Sequence, residues 1–176
     1  MAMCPKTNQP EQDVVYTPKF LAKQIIDHYN PSGIILEPCK GDGAFYDFLP
    51  EGSPWCEISL GKDFYEYTDK VDWIITNPPW SILRPFLGHA MKIQADNIVF
   101  LFNFNALMTK ARLRDIISNG YGIAEIYCVD TPSTEETGWP QAGFQLGAVN
   151  IKRGHTGPIA FTGRVGGVEL PTNKLI

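Results

Sequence analysis

The sequence predicts an α/β fold, with a mostly parallel sheet, helices on both of its faces and an antiparallel last strand. Short apolar runs typical of buried strands alternate along the chain with segments of helical periodicity. The last two of these runs are joined by a polar loop, residues 130–141, in which no helix is predicted. Because parallel neighbours need a long crossover connection, we expect these two strands to be antiparallel.

The first half of the chain opens with a polar arm and a helix. Thr17-Pro18 has the residue types of an N-cap and a first helical position, and Asn30-Pro31 ends the helical pattern. The predicted strands of this half are 34–36, 55–58 and 72–76, and a brief helix at 44–49 follows the turn Gly41-Asp42-Gly43. Apolar character bounded by Gly and Pro supports each of these elements.

The second half continues the alternation. Ser81 is predicted to cap a helix that runs to about Ile93, and Gly120 ends a helix over 107–119. The predicted strands are 97–102, 123–129 and 144–151, and the tail after Arg153 forms either a hairpin or a surface segment. We therefore divide the chain into an arm (1–15), one domain (16–153) and a tail (154–176) packed on that domain.

Composition narrows the classes of function. The 176 residues are 44% hydrophobic, and no apolar run approaches the roughly 20 residues of a membrane span. Because of the missing apolar run, we expect no membrane association. The four cysteines lack paired C-x-x-C spacing, so we expect no metal site and a cytoplasmic location. The net charge of −4 counts against a high-affinity DNA-binding protein. There are two local basic stretches, and each is either solvated surface or a nucleic-acid contact. They are Lys110, Arg112 and Arg114, and Lys152, Arg153 and His155.

The most informative motif is Asn77-Pro78-Pro79-Trp80, which directly follows a predicted strand. Two prolines have no N–H for a β-ladder, so the strand must end there. The prolines also restrict the backbone, so the chain continues from the strand in a fixed direction. At the carboxyl end of a parallel sheet, the Asn77 side-chain oxygen and the Pro78 carbonyl can accept both hydrogens of an exocyclic amine. Trp80 can stack on the ring that carries this amine.

A second motif, Glu37-Pro38-Cys39-Lys40-Gly41-Asp42-Gly43, lies between the first strand and the next helix. Its glycines allow a ligand to approach the backbone. Glu57, which follows 20 residues after Glu37, can accept both ribose hydroxyls of a nucleoside cofactor. In Asp63-Phe64, the acid can accept from an adenine amine and the ring can pack on adenine.

Together these motifs resemble the S-adenosylmethionine-dependent DNA adenine-N6 methyltransferases, which have a Rossmann-like fold. Thr17-Pro18 is similar to the N-terminal cofactor motif of that family, and Asn77-Pro78-Pro79-Trp80 is similar to its catalytic motif. The matches cover residues 16–80, and the family topology accounts for the chain to about 153. The resemblance implies S-adenosylmethionine as cofactor, bound by Tyr16, Thr17, Pro18, Glu37, Pro38, Gly41, Gly43, Glu57, Asp63 and Phe64. Tyr16 either contacts the cofactor or packs in the core.

The resemblance also implies a nucleic-acid substrate, with DNA favoured over RNA. Trp139 and Phe144 either form the other wall of the base pocket or are ordinary hydrophobic packing. No target-recognition domain is evident, so we expect sequence specificity to be low, to be supplied by a partner subunit, or to be carried by the loop 130–141. The chain departs from the family at Lys40, where a small residue is usual, and in the short segment between Glu57 and Asp63.

Alternative functions remain open at this point. The same chemistry fits adenine in RNA or a glutamine amide in a protein, which is also a planar –NH2 group. A methyltransferase-like binding module without activity is a further alternative, motivated by Lys40 and the shortened segment. A nicotinamide-dependent oxidoreductase fits poorly, because the Asn-Pro-Pro corner would have no purpose in it.

Overall fold

The computed structural model describes residues 16–133, 135 and 145–170, and within them seven strands form one sheet. The strands are β1 (Ile35–Leu36), β2 (Trp73–Thr76), β3 (Asn97–Asn103), β4 (Tyr121–Val129), β5 (Leu146–Arg153), β6 (Ala160–Val165) and β7 (Val168–Glu169). Their order across the sheet is β1-β2-β3-β5-β4-β6-β7.

Most strands of this sheet share one direction. β1, β2 and β3 pair in parallel, and β4 pairs in parallel with β6. β5 lies antiparallel between β3 and β4, and β7 returns antiparallel on β6. The predicted α/β class and the antiparallel β5 are therefore confirmed, and the tail adds a β6–β7 hairpin beyond it.

Helices cover both faces of the sheet. They are α1 (Lys19–Tyr29), α2 (Leu83–Lys92), α3 (Phe104–Leu107) and α4 (Lys110–Ser118). Side chains of β3 alternate between the faces, as a pleated strand requires. Val99 and Leu101 pack in the cluster that includes α1, whereas Phe100 and Phe102 pack in the cluster that includes α2 and α4. None of the described helices has the length and apolar character needed to cross a bilayer.

The predicted strand at 55–58 is wrong. Trp55 makes only an isolated parallel bridge with Glu37, and residues Ile58–Leu60 form a 3-10 turn. Pro54 has no N–H for a ladder, and Gly61, with φ of 77°, turns the chain back so that Lys62 bridges to Glu57. Beyond β1 the sheet thus has a single bridge, between Glu37 and Trp55, instead of a further strand.

Three predicted helix boundaries are corrected. The predicted helix at 107–119 is interrupted, because the Thr109 hydroxyl accepts from the Arg112 N–H and starts α4 separately. Ser81 does not cap α2, which follows a 3-10 turn at Trp80–Ile82. The N-cap of α1 is Pro18 instead of Thr17, whose hydroxyl bonds elsewhere.

Candidate active site

The Asn-Pro-Pro corner lies at the carboxyl end of β2. Thr76, the last residue of β2, is buried, as is Pro78, whereas Asn77 and Trp80 are half-buried. The chain is extended at Pro79 and then enters the 3-10 turn that begins at Trp80. The two prolines therefore lie just outside the β-ladder, where neither needs to donate a hydrogen bond.

Two hydrogen bonds fix the Asn77 amide. Its Nδ2 donates to Thr17 Oγ1 at 3.1 Å, and its Oδ1 accepts from Trp80 Nε1 at 3.2 Å. Because an indole N–H can only donate, the Asn77 atom that faces Trp80 must be the oxygen. An amide oxygen has two acceptor directions, and the bond from Trp80 occupies one of them.

Two further backbone features shape this corner. The Trp80 indole N–H also faces the Leu101 carbonyl at 3.4 Å, which ties the corner to β3. The Pro79 carbonyl accepts from the Ile82 N–H at 3.3 Å, whereas no backbone N–H in the described part of the chain donates to the Pro78 carbonyl. Asn77 Oδ1 and the Pro78 carbonyl thus provide two acceptors on neighbouring residues.

The glycine turn follows β1, next to the end of β2. Gly41 and Gly43 have φ of 52° and 92°, values that glycine adopts without strain. The Gly43 N–H closes the turn on the Lys40 carbonyl at 2.8 Å. A Cβ placed on Gly41 would lie 3.5 Å from the Tyr16 ring, so any side chain there would fill the space beneath that ring.

The carboxyl group of Glu37 is buried at the base of this turn. Glu37 is 1% exposed, and its Oε1 accepts from the Cys39 N–H at 3.0 Å. Burial raises the pKa of Glu37 to about 8, and the hydrogen bond from the Cys39 N–H only partly opposes this rise. Glu37 is therefore mostly protonated and neutral at pH 7. Pro38, the next residue, is also buried.

Glu57 reaches the glycine turn from the other side. Its Oε2 accepts from the Gly41 N–H at 2.9 Å, and its Oε1 accepts from the Ser59 hydroxyl at 2.6 Å. Burial raises the pKa of Glu57, but the hydrogen bonds from Ser59 and Gly41 outweigh burial and hold it below its usual value. Glu57 is therefore an anion placed directly beside the turn.

The side chains of Asp63 and Phe64 lie in different surroundings. Asp63 Oδ1 accepts from the Tyr65 N–H at 2.9 Å and caps a 3-10 turn at the surface. Phe64 is 3% exposed, and its ring packs against Phe86 and His89. The expectation that the Phe64 ring packs on a nucleobase is therefore corrected, because that ring belongs to the core.

Ile58 is a residue that the sequence reasoning missed. It follows Glu57 directly and is 54% exposed, so it presents apolar surface beside the carboxylate. The sequence signal for this residue was an isoleucine directly after the acid at the end of a predicted strand. It was hidden because residues 55–58 were interpreted as a continuous strand.

The N-terminal motif joins the glycine turn to the corner. Tyr16 lies over Gly41 and is 57% exposed, so core packing of this ring is wrong. Its neighbour Thr17 is buried and accepts from Asn77. Pro18 completes the motif as the N-cap of α1, where its carbonyl accepts from Leu21. Tyr16, Thr17, Gly41, Glu57 and Asn77 are thus connected by contacts at the carboxyl edge of β1 and β2.

Lys40, where the chain departs from the family pattern, interacts with aromatic rings. Its Nζ lies 4.4 Å from the ring centroids of both Tyr46 and Trp55, and Lys62 Nζ lies 3.6 Å from the centroid of Trp55. Such cation–π contacts attach the glycine turn to the segment that carries Glu57. The predicted base-pocket residues Trp139 and Phe144 lie outside the described residues, as does most of the loop 130–141.

The strand order and this site define the Rossmann-like methyltransferase fold, and comparison with solved structures confirms the fold. Neither a family model nor a curated protein matches the sequence. Among solved structures, a modification subunit assigned to a type I restriction enzyme from Vibrio vulnificus YJ016 matches with a TM-score of 0.59 and 13% identity. The match covers 93% of this chain and 49% of that subunit.

Two further structures show how widely the fold is shared. A protein from Listeria monocytogenes described as a class I S-adenosylmethionine-dependent methyltransferase matches with a TM-score of 0.58 and 12% identity, over 90% of this chain and 68% of that one. Magnesium protoporphyrin IX methyltransferase from Synechocystis PCC 6803, solved with bound S-adenosylmethionine, matches with a TM-score of 0.52 and 12% identity, over 77% and 79%. At such identities the likeness concerns the fold and leaves the substrate open.

Proposed function

We propose that the protein transfers a methyl group from S-adenosylmethionine to the N6 amine of adenine in DNA. The observation that carries this proposal is the Asn77-Pro78-Pro79-Trp80 corner, held by Thr17 beside the glycine turn. A bound methyl donor and an amine acceptor would then meet at one edge of the sheet. The fold shared with methyltransferases of several substrates supports the reaction type.

The residues at the turn fit an adenosyl group that carries a methionine. Gly41 leaves room beneath Tyr16 that a side chain would fill, and the Glu57 carboxylate can accept from ribose hydroxyls. Ile58 would supply apolar surface for the adenine ring in place of Phe64, and Asp63 would accept from its amine. Tyr16, Thr17, Pro18, Glu37, Pro38 and Gly43 complete the proposed cofactor site.

When bound, S-adenosylmethionine would supply an electrophilic methyl group to the amine nitrogen. The sulfur–carbon bond would break, the sulfur would leave as a neutral thioether, and the nitrogen would release one of its two protons to water. Asn77 Oδ1 and the Pro78 carbonyl would accept the two hydrogens of the substrate amine. These bonds favour a more pyramidal nitrogen, whose lone pair then becomes available for attack. Thr17 and Trp80 keep the Asn77 amide from rotating, so its oxygen is already oriented before the substrate arrives.

Trp80 is proposed to contact the base as well as to orient Asn77. A base in duplex DNA must leave the stack to reach this corner, at a cost of a few kcal/mol. Stacking on a half-buried indole would offset roughly 1–3 kcal/mol of that cost, by analogy with other base–aromatic contacts. Trp139 and Phe144 remain candidates for the opposite wall of the base pocket.

DNA is proposed as the acceptor, with a partner subunit supplying sequence specificity. The match to a modification subunit supports this proposal. The acidic composition favours a partner as well, since much of the affinity for a specific sequence would then come from another chain.

The test is the Asn77→Ala variant with tritium-labelled cofactor. We expect methyl transfer to DNA to be lost while calorimetry shows the same cofactor affinity, because Asn77 is proposed to accept from the substrate amine and lies outside the proposed cofactor site. Asn119→Ala, at the far end of α4, is the matched control and should leave both unchanged. RNA and a protein fraction are tested as alternative acceptors. If either is labelled in preference to DNA, that acceptor, and not DNA, is the substrate. Wild-type transfer by Asn77→Ala would refute the catalytic role of the corner.

A further inference from the structure

The described basic side chains differ sharply in whether they have an acidic partner. Ion pairs with carboxylates engage Lys19, Lys23, Lys70, Arg84, Arg153 and Arg164. Lys110 and Arg114, both exposed at the start of α4, make no ion pair with any described residue. Their only close acidic neighbour on the helix, Asp115, makes a bidentate pair with Arg84, with Nε–Oδ2 and Nη2–Oδ1 distances of 2.6 Å and 3.3 Å.

The start of α4 lies at the same edge of the sheet as the Asn-Pro-Pro corner. β3 and β4 run in the same direction, so the helix that connects them must begin at their carboxyl ends. β3 links the two places directly, since its Leu101 carbonyl accepts from Trp80 and its last residue, Asn103, caps α3. Only α3 and two further residues then separate β3 from Lys110.

The arrangement of charge on α4 is unfavourable for the isolated fold. Lys110 and Arg114 are four residues apart, and like charges at this spacing repel by a few tenths of a kcal/mol. Lys110, in the first turn, also opposes the helix dipole, and α4 has no acidic residue in its first turn to compensate. Arg112 differs, because its guanidinium donates to the Ala106 carbonyl and so attaches α4 to α3. Stability therefore explains Arg112 but neither Lys110 nor Arg114.

We propose that Lys110 and Arg114 form a surface that binds the phosphate backbone of duplex DNA next to the catalytic corner. This inference rests on the function proposed above and names the part of the chain that would hold the substrate. A polyanion is the occupant that matches two exposed cations without acidic partners. In a protein of net charge −4, such cations must be concentrated locally if DNA is to approach.

The chain offers a matched control for testing this surface. Lys92 and Lys152 are also exposed and make no ion pair with any described residue, but they lie at the opposite edge. Lys92 is at the end of α2, and Lys152 pairs with Asn97 at the beginning of β3. Lys110→Gln/Arg114→Gln and Lys92→Gln/Lys152→Gln therefore change the net charge equally at opposite edges.

The measurement is the affinity for a short fluorescent DNA duplex over a range of KCl concentrations. Losing two phosphate contacts should reduce the slope of log affinity against log salt by about 2 and weaken binding at ~0.1 M salt by ten-fold or more. The control pair should retain the wild-type slope, and calorimetry should show unchanged S-adenosylmethionine affinity for both pairs.

Two results would overturn this inference in distinguishable ways. If the Lys110→Gln/Arg114→Gln variant binds and methylates DNA as the wild type does, Lys110 and Arg114 do not form a DNA-binding surface, and the proposed function stands. If the wild type binds the cofactor but no DNA even at low salt, or prefers an RNA duplex, both the surface and DNA as the acceptor are wrong.

Discussion

Replacing Glu37 by glutamine should remove most of the pH dependence of stability near neutrality. Glu37 is fully buried, and burial raises its pKa from 4.5 to about 8. Between these two values the folded protein retains a proton that the unfolded chain has lost, so stability falls as pH rises. Glutamine preserves the size of the side chain and an oxygen acceptor for the Cys39 N–H, but it does not titrate.

The magnitude follows from the two pKa values. Each pH unit over which the folded and unfolded states differ by one proton changes the unfolding free energy by about 1.4 kcal/mol. The wild type should therefore lose roughly 3 kcal/mol between about pH 5 and pH 8, after which the loss levels off as folded Glu37 ionises. Glu37→Gln should unfold with nearly constant free energy over the same range.

Urea unfolding, followed by tryptophan fluorescence at a series of pH values, measures this difference. Glu57→Gln is an informative control, because the pKa of Glu57 is lowered instead of raised. Its stabilising contribution is present above the unfolded pKa and is lost as pH falls through the folded pKa, so this variant should be weakened at neutral pH and converge with the wild type in acid. A Glu37→Gln variant with the wild-type pH slope would show that Glu37 is not held protonated in the fold.

Three further variants test contacts elsewhere in the molecule. Thr17→Val removes the hydroxyl that accepts from the Asn77 amide while keeping the shape of the side chain, so kcat should fall about ten-fold in a methyl-transfer assay, as expected for a lost hydrogen bond. Lys40→Met removes the charge over Trp55 and should lower the urea-unfolding free energy by about 0.5–2 kcal/mol, whereas Lys40→Arg should restore it. Gly122→Ala would overlap the His155 carbonyl oxygen and should lower the Tm, by the equivalent of about 1–3 kcal/mol; the open helical Gly88→Ala should not.

The sequence predicted the elements whose signals are local. The strand before the corner was identifiable because a short apolar run ends at two prolines, and β2 ends at Thr76, immediately before that corner. The end of α1 was equally local, since Asn30 takes the left-handed conformation, with φ of 43°, that closes a helix. The antiparallel direction of β5 followed from the connection that precedes it, because no helix was predicted there.

The features that the sequence did not reveal depend on partners distant in the chain. Thr17 has the residue type of an N-cap, but its hydroxyl bonds with Asn77, 60 residues away. Residues 55–58 could form a strand only by continuous hydrogen bonding with a neighbouring strand, and in the structure they make only isolated bridges. Likewise, nothing near Lys40 in the sequence indicated that its ammonium group would lie over Trp55. Local propensity cannot identify such tertiary partners.

Two arrangements in this fold are unfavourable for folding alone, and both lie at the carboxyl edge of the sheet. A buried glutamic acid at the glycine turn costs stability at neutral pH, where a glutamine would not. Two exposed cations of α4, Lys110 and Arg114, repel each other, and Lys110 in the first turn also opposes the helix dipole, where an acid would stabilise the helix. Local rules are most often broken at functional sites. Folding stability alone therefore does not explain either arrangement at this edge of the sheet.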